Sequence, residues 1–236
     1  FGQFTKEFVE TTLALSPVTA TSAGYHEHDG QSLDVLLDDY SAAGLERQRR
    51  HWNGWRQRLA DMDDRELDAS SRADLDLMKG QIDLALLELD QIKNWQRNPT
   101  LYVELLGNAL FTPYSVEYAP IEARYSHIIG RLKATPAFVQ AAKANLKSTP
   151  PVWKRVATEE NDGTIGLISG PLLAGVPAAL KSEYELAAKR AAESLRGLNG
   201  FIGSLKEEDE ESWRLGEGLY RAKFSLAIGG TRTPDE

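Results

Sequence analysis

The chain has 236 residues, 42% of them hydrophobic and 26% charged, with a formal net charge of −8 and no cysteine. That length and composition fit an ordinary globular domain able to bury a sizeable core. The lack of cysteine excludes a disulfide scaffold, a thiol nucleophile and Cys-based zinc sites, and the acidic balance argues against a nucleic-acid partner, whose footprint is basic.

Phe1 opens the chain without a methionine, and a removed signal segment is one reading of that start. Ser16-Pro17 is the first of five Ser/Thr-Pro pairs; the others are Thr112-Pro113, Thr135-Pro136, Thr149-Pro150 and Thr233-Pro234. In each, the hydroxyl can cap free backbone N–H groups, and the locked φ of proline suits a first helical turn. The stretches between the pairs are therefore expected to be helical. Ser22 to Tyr40 is the clearest exception, because Gly24, Gly30 and several acids interrupt the pattern. Within it, Tyr25-His26-Glu27-His28-Asp29 sets two imidazoles two residues apart, on one side of the segment if it is extended. With Glu27 or Asp29 they could begin a zinc site, which needs three or four protein ligands. The helical His-Glu-x-x-His spacing is absent, and a polar loop satisfying its own backbone accounts for the segment more simply.

Ser41 to Leu59 is expected to be a helix, with His51 among bases and aromatics. Trp52 and Trp55 read as packing residues rather than a stacking platform, since the chain is acidic. Leu75, Met78, Ile82, Ala85, Leu89 and Ile92 follow steps of three and four, a helical seam. Leu77, Leu84, Leu86 and Leu87 widen it enough to be contacted from more than one side. Ile121, Tyr125, Ile128 and Leu132 predict a shorter helix, with His127 off its apolar face between Arg124 and Arg131. That trio could hold a carboxylate or phosphate; an exposed polar face explains it as well.

Asn161-Asp162-Gly163 reads as a turn or helix end. Leu180, Tyr184, Ala187, Ala191, Leu195, Leu198, Ile202 and Leu205 form a second long stripe. Gly197, Gly200 and Gly203 lie beside it, each costing about 1 kcal/mol relative to Ala, a cost that close backbone packing would offset. Lys206 to Glu211 is a charged, solvated connector. The segments 71–97 and 177–205 are expected to be the longest helices.

Charge is segregated: residues 61–90 hold ten acids and three bases, residues 121–155 one acid and seven bases. Two solvated faces packed against each other explain this; a polarised cleft wall that steers a charged substrate is the functional alternative. Gly163 to Leu180 runs eighteen residues without a charge. Its glycines and prolines would break an isolated lipid-facing helix, so no transmembrane span is expected and a buried segment fits better. There is no Gly-x-Ser-x-Gly elbow, and no glycine cluster follows a strand. Strand alternation never persists, and no hairpin dipeptide sits between apolar runs. The expected fold is all-α, an irregular multi-helix bundle with long central helices. No catalytic, cofactor-binding or metal-ligating residue is assigned in this chain.

Thr233-Pro234-Asp235-Glu236 carries the cap, proline and acid of a helix start. Residues 1–236 are therefore expected to be a single helical domain, the N-terminal half of a larger protein truncated near Glu236. The alternative is a freestanding helical protein-interaction or ligand-binding module. As half of a larger protein, the chain should leave apolar surface on the 71–97 face and on Gly163 to Leu180, and could self-associate through it.

The order of several short segments resembles a known family. These are Ser16 to Thr21 running into Gly24, Trp95-Gln96-Arg97-Asn98-Pro99 with Tyr102, Thr135-Pro136 leading to Asn145-Leu146, Pro150-Pro151, Gly216 to Tyr220, and Thr233 to Glu236. Together they resemble the N-terminal half of the bacterial domain-of-unknown-function family 885. The resemblance implies an all-helical protein of about twice this length, similar to zinc metallopeptidases, often exported or lipid-anchored. It implies a zinc-binding His-Glu-x-x-Pro-Gly-His helix in the C-terminal half, a motif this sequence lacks. On that footing the chain is the scaffold and one cleft wall of a zinc-dependent peptidase-like protein. Its zinc would lie in the C-terminal half, its partners would be that half and a peptide substrate, and its location would be the periplasm or cell envelope, with the cytoplasm as the alternative.

Overall fold

The computed structural model describes residues 1–229 and 232–236. Among them, α-helices follow one another as α1 (Gly2–Ala14), α2 (Pro17–Ser22), α3 (Ala42–Ala60), α4 (Ala69–Leu87), α5 (Thr100–Ser115), α6 (Ile121–Asn145), α7 (Pro151–Ser169), α8 (Pro171–Gly175), α9 (Lys181–Ser204) and α10 (Gly216–Ile228). Strand is confined to two-residue pieces: β1 (Glu27–His28) antiparallel to β2 (Gln31–Ser32), and β3 (Ser148–Thr149) parallel to β4 (Lys206–Glu207). The fold is all-α, as the periodicity requires.

α5, α6, α9 and α7 pack in a ring, each against the next, and enclose the larger core. α9 supplies Tyr184, Ala187, Ala191, Leu195, Leu198 and Ile202, all buried and spaced to fall on one side of a helix. α6 is buried on two sides, since Ile128, Phe138 and Ala142 share a stripe and Tyr125, Ile129, Leu132 and Val139 a second. A smaller core lies between α1, α3 and α4, where Phe8, Trp52, Trp55, Leu75, Met78 and Ile82 meet. Trp52 and Trp55 are packing residues, as expected. α4 also takes α10 against it.

Several boundaries differ from the expectation. α6, with 25 residues, is longer than α9 with 24 or α4 with 19, although α4 runs on through a π turn at Glu88–Ile92. Thr135-Pro136 lies inside α6 rather than starting a helix: the Thr135 hydroxyl bonds back to the Arg131 carbonyl at 2.9 Å instead of capping. Thr112-Pro113 likewise lies inside α5. Ser16-Pro17 and Thr149-Pro150 do precede helices. Asn161-Asp162-Gly163 is the interior of α7, because Asn161 is buried and donates across to the Leu195 carbonyl at 2.8 Å and to Asn199 Oδ1 at 2.7 Å. Those tertiary bonds outweigh local turn preference.

Gly200 and Gly203 have open space where a Cβ would sit, and Gly197 faces only the Lys143 ammonium, so no backbone packing offsets these glycines. The acidic stretch does not pack on the basic one. Asp83 and Asp90 pair with Arg56 and Arg49 of α3, and Glu88 pairs with Lys223 of α10. Gly163 to Leu180 divides into the end of α7, α8 and a 3₁₀ turn, with Ile168 and Leu172 in the larger core. Among the described residues no helix is long and apolar enough to cross a membrane. On α4, Leu77 is 63% exposed, while Leu75, Met78, Ile82, Leu86 and Leu87 are buried.

Candidate functional site

Of the polar residues singled out in the sequence, His26, His127 and Arg131 come together where Ser22 to Tyr40 crosses α2, α5 and α6. Asp29 and Gly30 both have positive φ, 48° and 75°, the conformation of a two-residue hairpin turn joining β1 to β2. Asp-Gly is a hairpin signal in its own right. It went unread because the residues flanking it are polar rather than apolar.

This hairpin and the turn after it place Asp34 in the interior. One carboxylate oxygen accepts from the Thr21 hydroxyl at 2.7 Å and lies 3.0 Å from His26 Nδ1. The other lies 3.6 Å from His127 Nδ1, beyond hydrogen-bond range. The Tyr118 hydroxyl sits 3.0 Å from that same nitrogen, and its ring stacks on His26 with centroids 4.5 Å apart. Burial pushes the Tyr118 phenol up to about 12, so near neutral pH it keeps its proton. Burial also lowers the His127 pKa, with Arg131 and His26 adding to the effect and Asp34 opposing it. A neutral imidazole unprotonated at Nδ1 would accept from the Tyr118 hydroxyl.

Beneath this cluster lies Arg131, 0% exposed. It donates to the carbonyl of Leu36 at 3.1 Å, of Ala109 at 2.7 Å and of Pro17 at 3.4 Å, and to the Thr21 hydroxyl at 2.6 Å. Arg124 is also buried, donating to the carbonyls of Pro113 at 2.9 Å, Tyr114 at 3.1 Å and Ala119 at 3.0 Å at the end of α5. The exposed cationic face expected for Arg124, His127 and Arg131 is therefore not there. Both arginines share the buried stripe of Ile128 on α6, and their donors are spent on backbone carbonyls and the Thr21 hydroxyl. They clamp rather than bind.

His26 and His28 do not converge. His28 has Nδ1 2.8 Å from the Tyr25 hydroxyl and Nε2 3.5 Å from Asp29, while His26 turns to Asp34. His51 lies apart in the smaller core, its Nε2 3.1 Å from the Thr12 hydroxyl, and burial lowers its pKa to about 4. Among the described residues no group of three or more His, Asp or Glu could hold a metal ion.

Sequence reading missed Asp34, the centre of the cluster, because nothing local distinguishes it from its acidic neighbours. Asp38 was missed for the same reason; it accepts from the Val18 N–H at 3.1 Å, and burial raises its pKa to about 6.

No curated protein matches the chain. Its fold is that of a "putative lipoprotein of unknown function" from Shewanella oneidensis, with a TM-score of 0.84 at 24% sequence identity. The match covers 99% of this chain and 43% of that one, so this chain spans less than half of that protein's length. A family model described as bacterial protein of unknown function (DUF885) matches residues 17–236, and the chain belongs to that family.

Proposed function

We propose that residues 1–236 are the helical scaffold and one cleft wall of a longer, zinc-dependent peptidase-like protein of the cell envelope. The metal ligands and general base lie outside this chain, which contributes no catalytic residue. The observation that carries the reading is the lopsided match: nearly all of this chain corresponds to under half of a larger protein. The cluster at Asp34 supports it, since Arg131, Arg124 and Thr21 are occupied in joining α2, α5, α6 and the 22–40 segment. The description of the Shewanella oneidensis protein as a lipoprotein supports the envelope location. The partner is the C-terminal half of the same protein, and in its absence self-association is the expected substitute.

The parent reading frame should continue past Glu236 into a His-Glu-x-x-Pro-Gly-His segment. Purified parent protein should then hold one zinc and cleave peptides, and residues 1–236 alone should do neither. A parent protein that holds zinc but cleaves no peptide sinks the peptidase reading. Peptidase activity in residues 1–236 alone sinks the scaffold reading. A second reading, a ligand-binding module, is favoured by one observation, a cavity beside Asp38.

A further inference from the structure

That cavity, about 540 Å³, lies between α3, α6 and the segment from Leu36 to Ser41. Its volume falls within the range of small-molecule sites. Ala134, Phe138 and Ala141 of α6 line it with apolar surface, and the alanines leave room that longer side chains would take. The opposite wall is pinned. A Cβ on Gly44 would stand 2.2 Å from the Asp39 carbonyl oxygen, so only glycine lets α3 approach that backbone. Asp39 accepts from the Ser41 N–H at 2.8 Å and pairs with Arg47, and Gln48 Nε2 donates to the Asp39 carbonyl at 3.3 Å.

The charges around the cavity are unequal. Asp39 and Arg47 neutralise each other. Arg131 lies near enough to influence Asp38, yet its donors go to Leu36, Ala109, Pro17 and Thr21. Asp38 accepts from the Val18 N–H, and among the described residues no side-chain donor bonds it. Burial raises its pKa, and the Val18 N–H and the charge of Arg131 offset that only in part, so the carboxylate has no directly bonded counter-ion. An anionic ligand would meet no free cation here. A neutral apolar one would leave Asp38 uncompensated.

We propose that this cavity binds a small organic cation, an ammonium group on an aliphatic or aryl body. Asp38 is its counter-ion, and Phe138 with the α6 alanines holds the apolar part. The proposal is independent of zinc and of peptidase chemistry.

The test is calorimetric titration of the chain with benzylamine at pH 7.5, with benzyl alcohol as the neutral probe of similar shape. Benzylamine should bind at least about tenfold more tightly, a margin of about 1.4 kcal/mol. Asp38→Asn keeps an acceptor for the Val18 N–H and should remove that margin. Ala134→Leu fills the floor and should weaken both probes. Equal affinity for the two probes, an undiminished margin in Asp38→Asn, or absence of benzylamine binding in a folded parent chain overturns the proposal. Circular dichroism of each variant confirms that it is folded before titration.

Discussion

Arg131 donates to the carbonyl of Ala109 at 2.7 Å, and Ala109 is the residue whose helical donor Pro113 cannot supply. A proline inside a helix costs about 3 kcal/mol or more, partly through the carbonyl it leaves without a partner. A buried guanidinium on the next helix replaces that donor. The same side chain reaches the 22–40 segment through Leu36 and α2 through Pro17 and Thr21, so one residue ties four parts of the chain.

Replacing Arg131 with Met should cost about 3–5 kcal/mol, because it leaves buried carbonyls unpaired and Asp34 without its nearby positive charge. Lys should recover little, since one ammonium cannot reach in three directions. Adding Pro113→Ala to Arg131→Met should return about 1 kcal/mol more than it does in the parent, because the new N–H serves Ala109. Urea denaturation of the four proteins measures this coupling, and strict additivity would refute the pairing.

Asp38 should make the fold less stable at neutral pH than at pH 4. Its native pKa of about 6 lies above the ordinary carboxylate value, so between those pH values the native state holds a proton that the unfolded chain has released. Stability therefore falls as pH rises through that window. Asp38→Asn should be more stable than the parent by about 1–3 kcal/mol at pH 7, with the gain closing near pH 4. A constant difference across pH would assign the effect to something other than ionisation.

His51 should act with the opposite slope. Its native pKa of about 4 lies below the usual imidazole value because of burial, so the unfolded chain takes up a proton first as pH falls. The stability it contributes is complete above about pH 6.5 and is lost toward pH 4. Discounted for partial exposure, the loss is about 1–2 kcal/mol. Thermal unfolding of His51→Gln against the parent at pH 7 and pH 4.5 should show a smaller acid-induced drop in the variant.

Gly200 lies in the body of α9 with open space at its Cβ position. Gly200→Ala should stabilise the chain by about 0.5–1 kcal/mol, since alanine has less conformational freedom to lose and nothing to displace. A destabilised variant would mean that this face of α9 is covered by something, which light scattering would detect as association.

What could be read from the sequence was what repeats within a helix. Tyr184 to Ile202 and Leu75 to Ile92 announce their buried faces at helical spacing, and the interruption at Ser22 to Tyr40 is marked by its glycines. What could not be read depends on distant partners. Pro113 inside α5 makes sense only beside Arg131, and Asn161 inside α7 only beside Leu195 and Asn199. Arg131 resembles any surface arginine until its position on the buried Ile128 stripe of α6 is known. The candidate site was half legible: His26, His28 and His127 drew notice, but Asp34 and Asp38, which organise it, are two acids among many.

None of the side chains of α10 is fully buried, and the helix is held by packing on α4 and by the 2.6 Å pair between Lys223 and Glu88. A helix secured so lightly can detach while the ring of α5, α6, α9 and α7 stays intact, because its local opening free energy is only part of the global one. Its backbone amides should therefore exchange with deuterium well before those of α6 or α9, and high salt should speed that exchange by weakening the Lys223–Glu88 pair. The order of α10 thus depends on its surroundings more than that of the ring helices does.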